Sequence, residues 1–142
     1  MKRQRRALAS EVGEGAAPGY GRRRSVLAHA DPRLHSFAGK LDARRIAARL
    51  GVPLKRLAPA LGYTPQGLSK NPTSDNLQVS LAEIAYVLNR LRSLVADDRS
   101  VAVWLRAPHP DLGGGTPLSY MLSGRTSAVN ALLHLAEAGQ TS

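Results

Sequence analysis

Leu77, Leu81, Ile84, Leu88, Leu91 and Val95 are separated by steps of 4, 3, 4, 3 and 4 residues. Steps of three and four keep side chains on one stripe of an α-helix, whereas a half-buried strand needs steps of two. The segment therefore predicts one long helix with a single apolar face. Nothing else in the chain sustains a pattern that far, because proline or glycine interrupts every other apolar stripe. No segment alternates convincingly with period two, and no internal repeat is visible. The expected fold class is all-α. Composition agrees: 43% of residues are hydrophobic but only 4% aromatic, which predicts a core of Leu, Ala, Val and Ile.

The interruptions locate the other helices. Asp42 offers an N-cap and Gly51 a stop around Leu41, Ile46 and Leu50, the first helix. Pro53 then takes the first position of a helix over Leu54–Leu61 that ends at Gly62, and Pro59 inside it predicts a short, kinked or split element. Thr64-Pro65 starts a third helix, which Asn71-Pro72 stops. For the long helix, Ser74, Asp75 and Ser80 are rival start signals. Asp98 caps a fifth helix through Arg106. After the loop Trp104-Leu105-Arg106-Ala107-Pro108-His109-Pro110-Asp111-Leu112-Gly113-Gly114-Gly115, Thr116-Pro117 repeats the cap-then-proline device and Gly124 ends a sixth helix. Thr126 or Ser127 caps the last helix, whose stripe is Val129, Leu132, Leu133 and Ala136 and whose C-cap is Gly139.

The chain has 142 residues, no cysteine and a formal net charge of +10 at pH 7. The absence of cysteine removes disulfides, thiolate metal sites and thiol catalysis. Residues 1–40 hold nine Lys/Arg against three Asp/Glu, a net of +6. Residues 1–36, rich in Arg, Gly, Ala, Ser and Pro without apolar period, are expected to be a disordered basic tail able to follow phosphates by counterion release. No apolar run is long enough to span a bilayer, and no secretory h-region follows the arginine-rich start. The expected setting is a bacterial cytoplasm with no membrane contact.

Catalysis finds little support. The histidines are His29, His35, His109 and His134; only His109, beside Asp111, lies in a loop able to line a site, and there is no Gly-x-Ser-x-Gly elbow or His-Glu-x-x-His pair. The triple glycine 113–115 lacks the lysine and preceding strand of a phosphate loop, so its role is expected to be a tight turn. No enzyme activity, cofactor or metal is expected. The helix–turn–helix over Leu54–Lys70 would, in a DNA-binding version, place Thr64, Gln66, Ser69 and Lys70 at the major groove, with Arg44, Arg45, Lys55 and Arg56 on phosphates. Such helix pairs also serve as plain packing units.

Trp104-Leu105, Pro108-His109-Pro110, Leu112, Gly113-Gly114 and Thr116-Pro117-Leu118, followed by a last helix with Val129, Leu132-Leu133 and Gly139, resemble the toxin-binding domain of Xre/MbcA/ParS-type antitoxins. Residues from about Leu41 to Val95 are similar to the Xre-like helix-turn-helix that precedes that domain. The resemblance implies a helix-turn-helix domain over 37–97 and a toxin-binding domain over 98–142, and leaves the basic tail over 1–36 unexplained. It implies the antitoxin of a type II toxin–antitoxin pair that neutralises a RES-domain toxin acting on NAD, and that binds the operator of its own operon as a homo-oligomer or a hetero-oligomer with toxin. Carried onto this chain, the toxin contacts are Trp104, His109, Leu112, Gly114 and Pro117, and the end Gly139-Gln140-Thr141-Ser142 lies near the toxin's active-site entrance. Gly115 stands where the resemblance implies a larger residue, often basic. The other reading is a stand-alone DNA-binding regulator whose C-terminal helices dimerise. Trp104 is expected to support the loop from the core, with Pro108, Pro110 and Pro117 stiffening it.

Overall fold

The computed structural model describes residues 31–36 and 39–141. The expected basic tail lies outside the described residues as far as position 30, and so do His29 and Ser142. Among the described residues there are seven α-helices and no strand: α1 (Ala43–Leu50), α2 (Leu54–Leu61), α3 (Pro65–Lys70), α4 (Gln78–Leu94), α5 (Asp98–Arg106), α6 (Pro117–Leu122) and α7 (Thr126–Thr141).

Local chemistry explains most of the boundaries. The Asp42 carboxylate accepts from the Arg44 amide at 2.8 Å and starts α1. α1 and α2 then end in the same way. Gly51 and Gly62 adopt φ of 75° and 72°, which a side chain would strain, and the residues after them, Val52 and Tyr63, donate back to Ala47 and Ala58. α2 runs unbroken through Pro59 but is only eight residues long. Pro53 is its N-cap rather than its first helical residue. The Thr64 hydroxyl caps α3 through the Gly67 amide at 3.0 Å. Ser74 starts the 3₁₀ turn Asp75–Leu77, which leads directly into α4, so the start signal at Ser80 is not used.

Two expected caps move. Asp97, not Asp98, accepts from the Ser100 amide at the start of α5. Asp98 lies in the first turn, where three arginines compete for its carboxylate. Gly139 is not a C-cap: α7 continues through it to Thr141, since nothing after it forces a turn.

α4 is the spine. α1, α5 and α7 all pack on it; α2 packs on α1, α3 and α6; and α6 joins α5 to α7. The expected stripe is the one that is buried, with Leu77, Leu81, Ile84, Leu88 and Leu91 all in the core and Val95 at its edge. One apolar cluster runs from Leu34 to Leu133. The boundary expected between 97 and 98 is thus crossed by packing, and the residues from Asp31 onward form one compact unit.

Six residues of the expected tail, 31–36, also lie in that unit. Asp31 caps the 3₁₀ turn Pro32–Leu34, Leu34 is buried, and its carbonyl accepts from the Asp42 amide at 3.0 Å. Arg49 of α1 reaches Asp31 at 3.0 Å and Asp98 at 3.2 Å; Arg33 and Arg92 also pair with Asp98, at 3.3 and 3.2 Å. Burial works to raise the Asp31 carboxyl, but hydrogen bonds from the Arg33 side chain and amide and from Arg49 outweigh it and hold the group well below the usual carboxylate range. Asp98 is lowered too: burial opposes the shift, and the attraction of Arg49 and the Arg33 hydrogen bond reverse it. A lone Leu34 without periodicity gives no sequence signal.

Candidate functional site

The loop after α5 is a closed, hydrogen-bonded unit. Its base is His109, whose amide donates to the Gly115 carbonyl at 2.9 Å and whose carbonyl accepts from Gly114 at 2.9 Å and from Leu112 at 3.0 Å. Between them Pro110–Leu112 forms a 3₁₀ turn, and Gly113 and Gly114 turn the chain at φ of 64° and 86°. The stretch therefore holds a helical turn, which its prolines and glycines did not suggest. Thr116 then caps α6 through Ser119 at 3.1 Å.

Tyr120 on α6 clamps this loop. Its hydroxyl donates to the Leu112 carbonyl at 3.1 Å, and the Arg125 guanidinium lies 4.0 Å above its ring. A Cβ at Gly115 would lie 3.0 Å from Tyr120 Cε1 and 3.2 Å from the Leu112 oxygen. The absent side chain at 115, where the resemblance implied a large one, is the space the tyrosine ring occupies. Tyr120 escaped sequence reasoning; its only signal was a glycine five residues upstream of an aromatic.

Trp104 is half-buried against the core, its ring 6.0 Å from that of His109 and tilted by 56°. His109 Nδ1 is buried without a hydrogen-bond partner, and among the described residues no hydrogen bond or ion pair joins the ring to Asp111. Of the other expected contacts in this loop, Leu112 and Pro117 are buried and hold the loop down, while Gly114 is exposed. Gly139 is exposed on the last turn of α7, which reaches Thr141 and includes Gln140. Among the described residues, no cluster of His, Asp or Glu has metal-binding spacing, and no helix is long and apolar enough to cross a membrane.

α7 is fastened to α4 through Arg90, another residue the sequence did not mark. It pairs with Glu137, donates to Asn130 Oδ1 at 3.1 Å, lies 3.4 Å from His134 Nδ1 and covers the Tyr86 ring at 5.2 Å. Leu135, outside the buried stripe of α7, is 65% exposed.

The residues expected at DNA divide into two groups. Arg44 is spent on Ser69, donating to its carbonyl at 3.0 Å and lying 3.1 Å from its hydroxyl, and Thr64 is spent on the α3 cap. Lys55, Arg56, Gln66 and Lys70 are exposed on α2 and α3, which are joined by the turn 62–64. Arg45 faces Asp42 at 3.8 Å.

Residues 90–139 match the family model of the antitoxin Xre/MbcA/ParS C-terminal toxin-binding domain. The match begins inside α4, at Arg90, and includes the whole loop, α6 and most of α7. No curated protein and no solved structure matches the chain.

Proposed function

We propose, from the match of residues 90–139 to the antitoxin Xre/MbcA/ParS C-terminal toxin-binding domain model, that this chain neutralises a RES-domain toxin that consumes NAD and represses its own operon. The observation that carries the reading is the loop of 107–116. It lies in the matched segment and is held in one shape by its backbone hydrogen bonds and by Tyr120. A surface ordered before its partner arrives loses little conformational entropy on binding. Trp104 and His109 form one wall of the ledge, with Gly114 at its rim. Leu112 and Pro117 act from below by fixing it, and the end of α7 from Gly139 onward lies toward the toxin's active-site entrance.

The operator would be read by α3. Gln66 and Lys70 supply base-edge or phosphate contacts, and Lys55 and Arg56 supply further phosphate contacts. The residues 31–97 then act as the DNA-binding part and 98–142 as the toxin-binding part, in a cytoplasmic assembly of more than one chain.

Co-expression with the toxin encoded in the adjoining reading frame tests the first half. Growth and cellular NAD should recover when this chain is present, and the two proteins should co-purify. Continued NAD loss beside well-expressed antitoxin would refute the reading. Removing residues 139–142 should leave a folded protein that neutralises poorly, as judged by the same NAD assay; unimpaired rescue would remove the role of the C-terminal end.

A further inference from the structure

Between α7 and the 3₁₀ turn Pro110–Leu112 lies an open groove of about 270 Å³, walled by Leu112, Tyr120, Ala131, Leu132 and Leu135, with Asp111 at its rim. We propose that this groove seats one apolar side chain of the toxin, with a cationic group of the toxin beside it against Asp111. The proposal rests on the toxin-binding reading above and specifies what the toxin must present.

Three observations carry it. First, Leu135 is a large aliphatic side chain left 65% exposed on a helix whose Val129, Leu132 and Leu133 are buried. It borders the groove directly, and a second hollow lined by Ser127, Asn130, Ala131 and His134 lies on its other side. A leucine standing between two hollows gives a ridge for an incoming surface to straddle, and covering it removes apolar area from water.

Second, the walls are apolar and already fixed. The polar atom of Tyr120 is spent on the Leu112 carbonyl, and its ring is pinned beneath Arg125. What the ring presents to the groove is carbon. Because Gly115 leaves room for the ring to lie where it does, the width of the groove is set by this glycine and tyrosine together.

Third, the rim carries the wrong charge for a chain of net +10. Asp111 is exposed, and its carboxylate makes no ion pair or hydrogen bond among the described residues. An unpaired carboxylate beside an apolar groove favours a partner whose apolar side chain has a lysine or arginine next to it, and gives selectivity and a faster encounter rather than most of the affinity. Both walls and the rim lie inside residues 90–139, the segment that matches the toxin-binding family.

The test uses the full-length chain and the purified toxin of the adjoining reading frame, with affinity and association rate measured at several salt concentrations. Leu135→Asp should weaken binding by about tenfold or more, the loss expected when a charge enters a desolvated contact. Asp111→Asn should slow association and flatten its dependence on salt. Val103→Asp, an equally exposed valine on α5, should bind like the parent chain. All three positions are exposed, and unchanged circular dichroism and melting confirm that each variant is folded. If the parent chain binds toxin and both groove variants bind it equally well, the groove assignment is wrong while the antitoxin reading stands. If the parent chain does not bind toxin, the functional reading itself falls and the proposal falls with it. If Leu135→Asp alters self-association by sedimentation and leaves toxin affinity unchanged, the groove serves a second copy of the chain and the proposal is refuted.

Discussion

Gly115→Ala is the smallest change that interrogates the clamp on the loop. The new methyl group would lie 3.0 Å from Tyr120 Cε1 and 3.2 Å from the Leu112 carbonyl oxygen, inside the usual carbon contact of about 3.5–4.0 Å. The oxygen has little freedom to retreat, because it accepts from the Gly115 amide at 3.0 Å and from Tyr120 at 3.1 Å. The tyrosine ring must therefore swing away and lose its hydrogen bond, worth about 0.5–1.5 kcal/mol. Crowding adds a cost of about 1–3 kcal/mol if it is not relieved. The backbone at 115 is not left-handed, so alanine there also restricts the unfolded chain, which offsets roughly 0.4–1 kcal/mol. The net loss should be about 1–2 kcal/mol, a fall in Tm of roughly 4–8 °C for a fold of this size. Urea denaturation of the parent, Gly115→Ala, Tyr120→Ala and the double variant reads the argument directly. Once the ring is gone, the methyl group has lost most of what it collides with, so the two losses together should be smaller than their sum by about 1 kcal/mol. Strictly additive losses would show that Gly115 and Tyr120 are not coupled and that the clamp is misassigned.

Trp104→Ala should destabilise the fold by about 2–3 kcal/mol in the same assay, below the range for a fully buried tryptophan because Trp104 is only half-buried; a neutral effect would show that it does not support the loop. Asp31 is ionised more readily in the folded chain than in the unfolded one, so its stabilisation is present above the unfolded carboxylate pKa, about 4, and is lost as the pH falls from there toward the lowered native value. Asp31→Asn should accordingly narrow the stability difference between pH 6 and pH 3, and an unchanged difference would dissociate the arginine cluster from acid sensitivity. Lys70→Ala should weaken operator binding in a gel shift and lower the salt slope by roughly one, and Gln66→Ala should reduce discrimination between operator and unrelated DNA; intact shifts with both would remove α3 from the groove.

What the sequence made legible was local. The three-and-four spacing of α4, the Thr-Pro starts of α3 and α6, and the glycine ends of α1 and α2 each involve groups within a few residues, and the structure repeats them. Asp97 and Asp98 show where such reasoning ends. Both are able to cap α5 equally well, and what decides is that Asp98 meets Arg33, Arg49 and Arg92, two of which come from elements far along the chain. Leu112 looks like an exposed loop residue to anyone who equates proline and glycine with surface, yet it is buried, its carbonyl held by Tyr120 of α6. Gly139 carries a stop signal in the sequence, but a glycine ends a helix only where the chain must then turn. The family resemblance of the C-terminal part was visible in the order of residues from Trp104 to Leu118, while Tyr120, Arg90 and the groove beside Leu135 depend on which helix faces share a neighbour.

The α4 spine limits how such a protein can be recombined. Its first turns carry Leu81 and Ile84 into the core, while Arg90 near its far end fastens α7. An exchange of parts between relatives at residues 97 and 98, where sequence alone would place the joint, would leave the transplanted piece without Arg90 and the apolar surface against which α7 is moulded. A workable graft has to carry α4 along or match its outer face residue by residue. The segment matched to the toxin-binding family and the helices before it are therefore not freely interchangeable cassettes: a lineage that alters one inherits packing constraints on the other through a single shared helix.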